Sequence, residues 1–394
     1  MIFTRGRRRH LETTGHFCPQ APCAYHGRVG WGNLRANGHP NGRRWRQLGC
    51  LSCKRHFLAT HSTPFHGTQV APDKRVWAVA ALAEGLGLRA VARVFASDAN
   101  TILGWLVEAA EHLEAFSRYV LRDVHVEQVQ MDELCVLLSA VKDGEVTEAE
   151  AIKRLSRSPH GVWVAMAPVG KLILTVDVGE HTLAMAPRLV HQVTQVLAPD
   201  CAPRFLTDGF REDLTALVTH DGQWMPPGRG QAQGPQPKPR WMPKPGLLYA
   251  QVVKAYRRRR LVEIKHRVIF GAAQTIESIL AKWGWKLTIS CVERLHLDFR
   301  QHVAAIGRRV HTLCTHEAGL WHQLGLFQTY HNFVLPHARL RLPLPECGPI
   351  PETGPIKRWR QQTPAMAAGL TDRVWRLREV LMYRVPPWPQ HQVD

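Results

Sequence analysis

The stretch Val129-Gln130-Met131-Asp132-Glu133-Leu134-Cys135-Val136-Leu137-Leu138 decides the fold class. It is a short apolar run, and such a run reads as a strand that carries an acid, Asp132, within it. Outward from it, Val162 to Ala167 and Leu172 to Val178 repeat the texture. A helical segment, His181 to Leu197, then leads into Phe205-Leu206, which stops at Thr207-Asp208-Gly209. Strands in series followed by helix, strand and helix predict a mixed sheet covered by helices.

Beyond this block, Gly222 to Gly246 is crowded with Pro and Gly and reads as an irregular insertion. A strand-like Leu247 to Lys254 follows, then helical stretches at Ile276 to Lys282 and Cys291 to Leu313. From residue 341 the chain is Pro-rich, with one short amphipathic helix at Asp372 to Tyr383. Upstream, Val76, Trp77, Val79, Ala80 and Ala83 carry the spacing of an inward helix face, and Gly85 is a plausible stop. A second short helix spans Leu88 to Phe95. Ser97 or Asp98 caps a third, whose inward stripe is Ile102, Trp105, Leu106, Ala109 and Leu113. Three helices with a tight second turn are a helix-turn-helix candidate. No internal repeat is present.

A length of 394 residues exceeds the roughly 250 that one core supports, so several modules are expected. The predicted class is multidomain α+β: a metal-binding module over 1–62, a helix-turn-helix domain over 63–118, a mixed α/β domain over 124–340 interrupted near 222–246, and a tail over 341–394. Lys and Arg number 51 against 32 Asp and Glu, a formal charge of +19 that attracts polyanions. The nine cysteines are uneven, with four crowded near the start. That pattern argues for a reducing cytoplasm and one metal cluster rather than a disulfide framework. No apolar stretch approaches the roughly 20 residues that span a bilayer, so no membrane partner is expected.

Cys18 and Cys23, then Cys50 and Cys53, form two knuckles suited to a closed tetrahedral zinc site. His16 and His26 are alternative ligands. Arg43, Arg44 and Arg46 between the knuckles present charge to phosphates. In the third helix, Asn100 and Thr101 stand where side chains reach base edges, while Arg89 and Arg93 would meet phosphates. Arg257, Arg258, Arg259 and Arg260 form a further basic run for DNA.

Breaking or joining a phosphodiester calls for divalent metal held by carboxylates from separate elements. Asp132 lies inside a strand, Asp208 ends one, and Glu293 opens a helix on which Arg300 falls on the same face two turns later. Asp177 and Glu133 are decoys, the latter because neighbouring strand residues face opposite sides.

The runs Gln130-Met131-Asp132-Glu133-Leu134, Phe205-Leu206-Thr207-Asp208-Gly209-Phe210 and Val292-Glu293-Arg294-Leu295 through Arg300-Gln301-His302 together resemble the DDE transposases of bacterial insertion sequences, of the insertion-sequence-one type. Tyr330-His331-Asn332-Phe333 and Thr363-Pro364-Ala365-Met366-Ala367-Ala368-Gly369-Leu370 are similar to the C-terminal pattern of that group. The resemblance spans nearly the whole chain, zinc-ribbon-like module and helix-turn-helix included. It implies an RNase H-like catalytic domain in which Asp132, Asp208 and Glu293 bind two Mg²⁺ ions, or Mn²⁺, with Arg300 as the basic residue that follows. It further implies double-stranded DNA partners, namely terminal inverted repeats and target, a homo-oligomer on DNA, and a nucleoid-associated protein of the bacterial cytoplasm. His296 stands where the pattern has an Asn. A DNA-binding regulator derived from such an element, and a processive nuclease, are the rival functions.

Overall fold

The structure, a computed structural model, describes residues 13–40, 44–136, 160–180, 182, 184–209, 211–220, 222–226, 238–258, 260–281, 288–306, 314, 316–344 and 358–387. The chain divides into two compact units, Met1–Trp77 with Arg376–Asp394, and Ala78–Trp375.

The first unit holds a small antiparallel sheet, β1 (Leu34–Gly38), β2 (Gln47–Cys50) and β3 (His56–Leu58), in that order. Its core is Cys18, Cys23, Leu48, Cys50 and Phe57. Three of these five residues are cysteines, so this cluster itself supplies little apolar area. The ring of His61 is buried edge-on against Phe17 and Phe57, 4.9 Å from each. The C-terminal segment returns to this unit: Arg384 Nε donates to the Ala59 carbonyl at 2.7 Å, and Pro387 fills the space beside Gly27 that a side chain would need.

Helix α1 (Pro72–Ala83) crosses the boundary between the units. Trp77, expected to face inward, is 62% exposed. At 3.6 residues per turn it falls nearly opposite the buried stripe of Val76, Val79, Leu82 and Ala83.

In the second unit, α2 (Leu88–Val94) and α3 (Ala99–Val120) follow. Asp98 caps α3, its carboxylate accepting from the Asn100 amide at 2.8 Å. The expected inward stripe of α3 is buried throughout. The six-stranded sheet comprises β4 (Gln128–Cys135), β5 (His160–Ala167), β6 (Leu172–Glu180), β7 (Arg204–Thr207), β10 (Leu248–Arg257) and β11 (Arg260–Phe270), after β8 (Gly222–Met225) and β9 (Arg240–Pro243) form a hairpin of their own. The sheet order is β11-β10-β7-β4-β5-β6. β4, β5 and β6 run antiparallel, β7 lies parallel to β4 and to β10, and β11 is antiparallel to β10. Helices α4 (Met185–Val196) and α5 (Arg211–His220) cover one face, where Thr175 and Asp177 meet Gln192 and Arg188. The other face packs Leu134, Val162, Val164, Leu206 and Val252 against the helices that follow α6 (Ala273–Ala281), namely α7 (Ser290–His302) and α8 (Glu317–Thr329).

Several expectations are corrected. The Pro/Gly stretch 222–246 contains the β8–β9 hairpin, with Trp224 against Trp241 at 5.5 Å, and is not wholly irregular. Helix α7 ends at His302, with Val303 extended, rather than at Leu313. The C-terminal helix is Leu377–Leu381, not Asp372 to Tyr383. Strand β11 and helix α8 were not anticipated: Gly319 and Gly325 interrupt the pattern of α8, whose apolar residues keep to no single face, and β11 mixes charge and β-branched residues.

Candidate metal centre and basic surfaces

The parallel pairing of β4 with β7 sets Gln130 opposite Leu206. Continued by two residues, the same register sets Asp132 beside Asp208, because side chains repeat at every second position. Two acids separated by 76 positions (208 − 132) thus meet, Asp132 within β4 and Asp208 just past the C-terminal end of the adjacent β7. Gly209 leaves the strand at φ +108°, a conformation that a side chain would oppose, and so lets the chain turn sharply after Asp208.

Among the described residues, the acids whose ligand oxygens lie within 4.8 Å of one another are Asp132, Glu133 and Asp208. Glu133, dismissed as a decoy, therefore belongs to the cluster. Strand alternation still separates the Cβ atoms of Asp132 and Glu133, but Asp208 stands past the end of β7, within reach of both. Burial, then the charges of Asp208 and Glu133, lift the Asp132 carboxyl to about 8. Burial and Asp208 lift Glu133 to about 7. Carboxylates so raised are poorly solvated and mutually repelled, the condition that a cation relieves.

Glu293 stands in the first turn of α7, and Gln130 fixes that helix to β4. Its amide nitrogen donates to the Thr288 carbonyl at 2.8 Å, and its amide oxygen accepts from the Val292 amide at 3.1 Å. The charge of Glu293 contributes to the lift of Asp132. Its carboxylate is not in the 4.8 Å cluster; it forms an ion pair with Lys254 of β10. Of the expected Asp132, Asp208 and Glu293, the first two share the cluster and the third is paired with an ammonium. His296, one turn on, places Nδ1 3.8 Å from the Asp132 carboxylate. Burial and the neighbouring Arg300 lower its pKa to about 4, so it is neutral at pH 7.

Asp177 is a structural acid: buried, paired with Arg188 at 2.7 Å and bound by Gln192 at 2.7 Å. Asp213, in the first turn of α5, was not anticipated because it reads as an ordinary helix N-terminal acid. It is buried, and burial with the charges of Glu133 and Asp208 pushes its carboxyl well above the usual range. It hydrogen-bonds Thr207, whose hydroxyl lies 3.0 Å from the Tyr249 hydroxyl.

In the first unit, Cys18, Cys23, Cys50 and Cys53 place their sulfurs within 4.8 Å of one another. The Cys18–Cys53 and Cys23–Cys50 separations are 3.7 and 3.8 Å. Four zinc–sulfur bonds of about 2.3 Å at tetrahedral angles separate sulfurs by about 3.8 Å, so the four thiols could hold a metal such as zinc. The amides of Asn33 and Tyr25 donate to Cys50 and Cys23 sulfurs at 3.6 and 3.4 Å, the outer contacts that steady thiolates. His16 instead lies against His61, ring centroids 5.7 Å apart, and His26 contributes backbone pairing to Cys18.

Of the basic positions, Arg44 is exposed and 3.9 Å from Asp73, and Arg46 donates to His39. Arg89, Arg93, Asn100 and Thr101 are exposed around the start of α3. Arg257, Arg258 and Arg260 are exposed at the β10–β11 turn, where Arg258 adopts φ +50°. Arg43 and Arg259 lie outside the described residues. The Tyr330–Phe333 run forms a π-helical turn that sends Asn332 to the backbone of Ile173 on β6, and Thr363 caps a short helix, Pro364–Ala367. Among the described residues no helix is long and apolar enough to cross a membrane. No protein-family model matches the chain, and no curated protein matches it.

Proposed function

We propose that the chain is a DNA transposase of the DDE type, with an RNase H-like catalytic domain that cleaves and rejoins DNA at the ends of an insertion sequence. The observation that carries this reading is the meeting of Asp132, within β4, and Asp208, past the end of the parallel strand β7, next to a helix pinned by Gln130 whose Glu293 contributes its charge to the lift of Asp132. The order of three antiparallel strands followed by two parallel ones supports the RNase H-like assignment. Asp132, Asp208 and Glu293, with Glu133, are the residues that would hold Mg²⁺. Such cations stabilise charge on the attacking and leaving oxygens of a phosphodiester. Water attacks the phosphorus at the element end, the bond to the 3′ oxygen breaks, and that oxygen takes up a proton. The freed 3′-hydroxyl then attacks a target phosphodiester in line, forming one P–O bond as another breaks.

Exposed Arg89, Arg93, Asn100 and Thr101 support helix-turn-helix readout of terminal inverted repeats, and the cysteine module with Arg44 and Arg46 supports backbone contact. The test is cleavage and joining of DNA carrying the ends of the encoding element, with Mg²⁺. Asp208→Asn is expected to lose cleavage and keep end binding; undiminished cleavage would overturn the reading. The Lys254–Glu293 pair favours one alternative, a catalytically idle DNA-binding regulator, which would bind these ends without nicking them.

A further inference from the structure

The two edges of the six-stranded sheet are treated differently. At the β6 edge, Asn332 Oδ1 accepts from the Ile173 amide at 3.0 Å and its Nδ2 donates to the Ile173 carbonyl at 2.8 Å. Gln328 donates to the Leu174 carbonyl at 3.2 Å. Side chains thus take up backbone groups of Ile173 and Leu174 at that edge. At the other edge, β11 is exposed from Arg260 to Arg267, and no hydrogen bond to its outer side is present among the described residues. Leu261, Val262 and Ile264 are 48%, 59% and 48% exposed. An open edge with exposed apolar side chains is a template for pairing with another strand.

The order of charges along β11 selects the partner. Where two identical strands pair antiparallel about a two-fold axis through the sheet, only residues of the same face can stand opposite one another. Centring on Glu263 opposes two carboxylates, and centring on Lys265 opposes two ammonium groups. Centring on His266 sets Lys265 against Arg267. Centring on Ile264 sets Glu263 against Lys265 twice, Val262 against His266, Leu261 against Arg267, and Ile264 against itself, with no like charges opposed.

We propose that the outer edge of β11 docks a second copy of this chain, antiparallel, in the register centred on Ile264, so that the sheets of two copies become continuous. The interface leaves the Arg257–Arg260 turn at either end of the pair, and it does not depend on the chemistry proposed above. The test is light scattering on the full chain across a dilution series. Wild type is expected to reach twice the 44.6 kDa of one chain. Glu263→Lys, which opposes Lys to Lys twice, is expected to dissociate at a concentration at least tenfold higher than wild type. Combining it with Lys265→Glu restores complementary charges and should restore the dimer. Ile264→Cys should form an oxidative cross-link between copies, above the background of wild type and of Arg258→Cys. A chain that stays monomeric, a dimer indifferent to Glu263→Lys, or a failure of the double exchange to restore it overturns the proposal. So does a set of β11 variants that weakens DNA binding with mass unchanged.

Discussion

The ammonium of Lys254, on β10, closes on the carboxylate of Glu293, in the first turn of α7, while Asp132, Glu133 and Asp208 form the 4.8 Å cluster to which Glu293 does not belong. The lysine is largely buried, with 19% of its side chain exposed, so it acts as a built-in countercharge among four acids.

Replacing Lys254 by Met is expected to release Glu293 and to tighten Mn²⁺ binding to the DNA-free protein by about tenfold, equivalent to about 1.4 kcal/mol. Calorimetric titration measures this without reference to activity. Unchanged or weaker binding would show that the lysine does not compete with the cation.

The raised acids predict a pH dependence of stability. Asp132 moves from 3.8 to about 8 and Glu133 from 4.5 to about 7, so between those limits the folded state holds protons that the unfolded state has lost. Stability without Mg²⁺ therefore falls as pH rises from about 4 to about 8, and the gain in Tm on adding Mg²⁺ grows over the same window. Asp132→Asn should flatten the slope. A Tm that rises through this window in the wild type and is untouched by Asp132→Asn contradicts the assignment.

The cysteine cluster makes a separable claim. The protein should carry about one zinc per chain, and its removal should unfold the first unit, whose small core is cysteine-rich. Cys23→Ser is expected to lose the metal and the dispersed amide signals of residues around β1 to β3, while signals of the six-stranded sheet persist. Metal analysis and heteronuclear NMR read both effects, and retained structure without metal counts against a structural zinc.

Much of the fold was legible because its signals are local. The apolar runs that became β4 to β7, the inward stripe of α3 and the cap at Asp98 each depend on residues a few positions apart. The cysteine knuckles were equally readable, since Cys50 and Cys53 lie on one turn. Strand β11 escaped notice because its edge position tolerates the mixture of Arg, Glu, Lys and Ile that hides a strand pattern.

The sequence by itself determined that Asp132 lies within a strand and Asp208 at the end of another, and that four thiols share one small module. Only the tertiary structure decided which carboxylates converge. Parallel register brings Asp208 to Asp132, the chain's exit at Gly209 leaves Asp208 open to Glu133 as well, and Lys254 pairs with Glu293. Proximity between residues 39 to 76 positions apart (293 − 254 and 208 − 132) is set by strand order and helix packing, which no local pattern encodes.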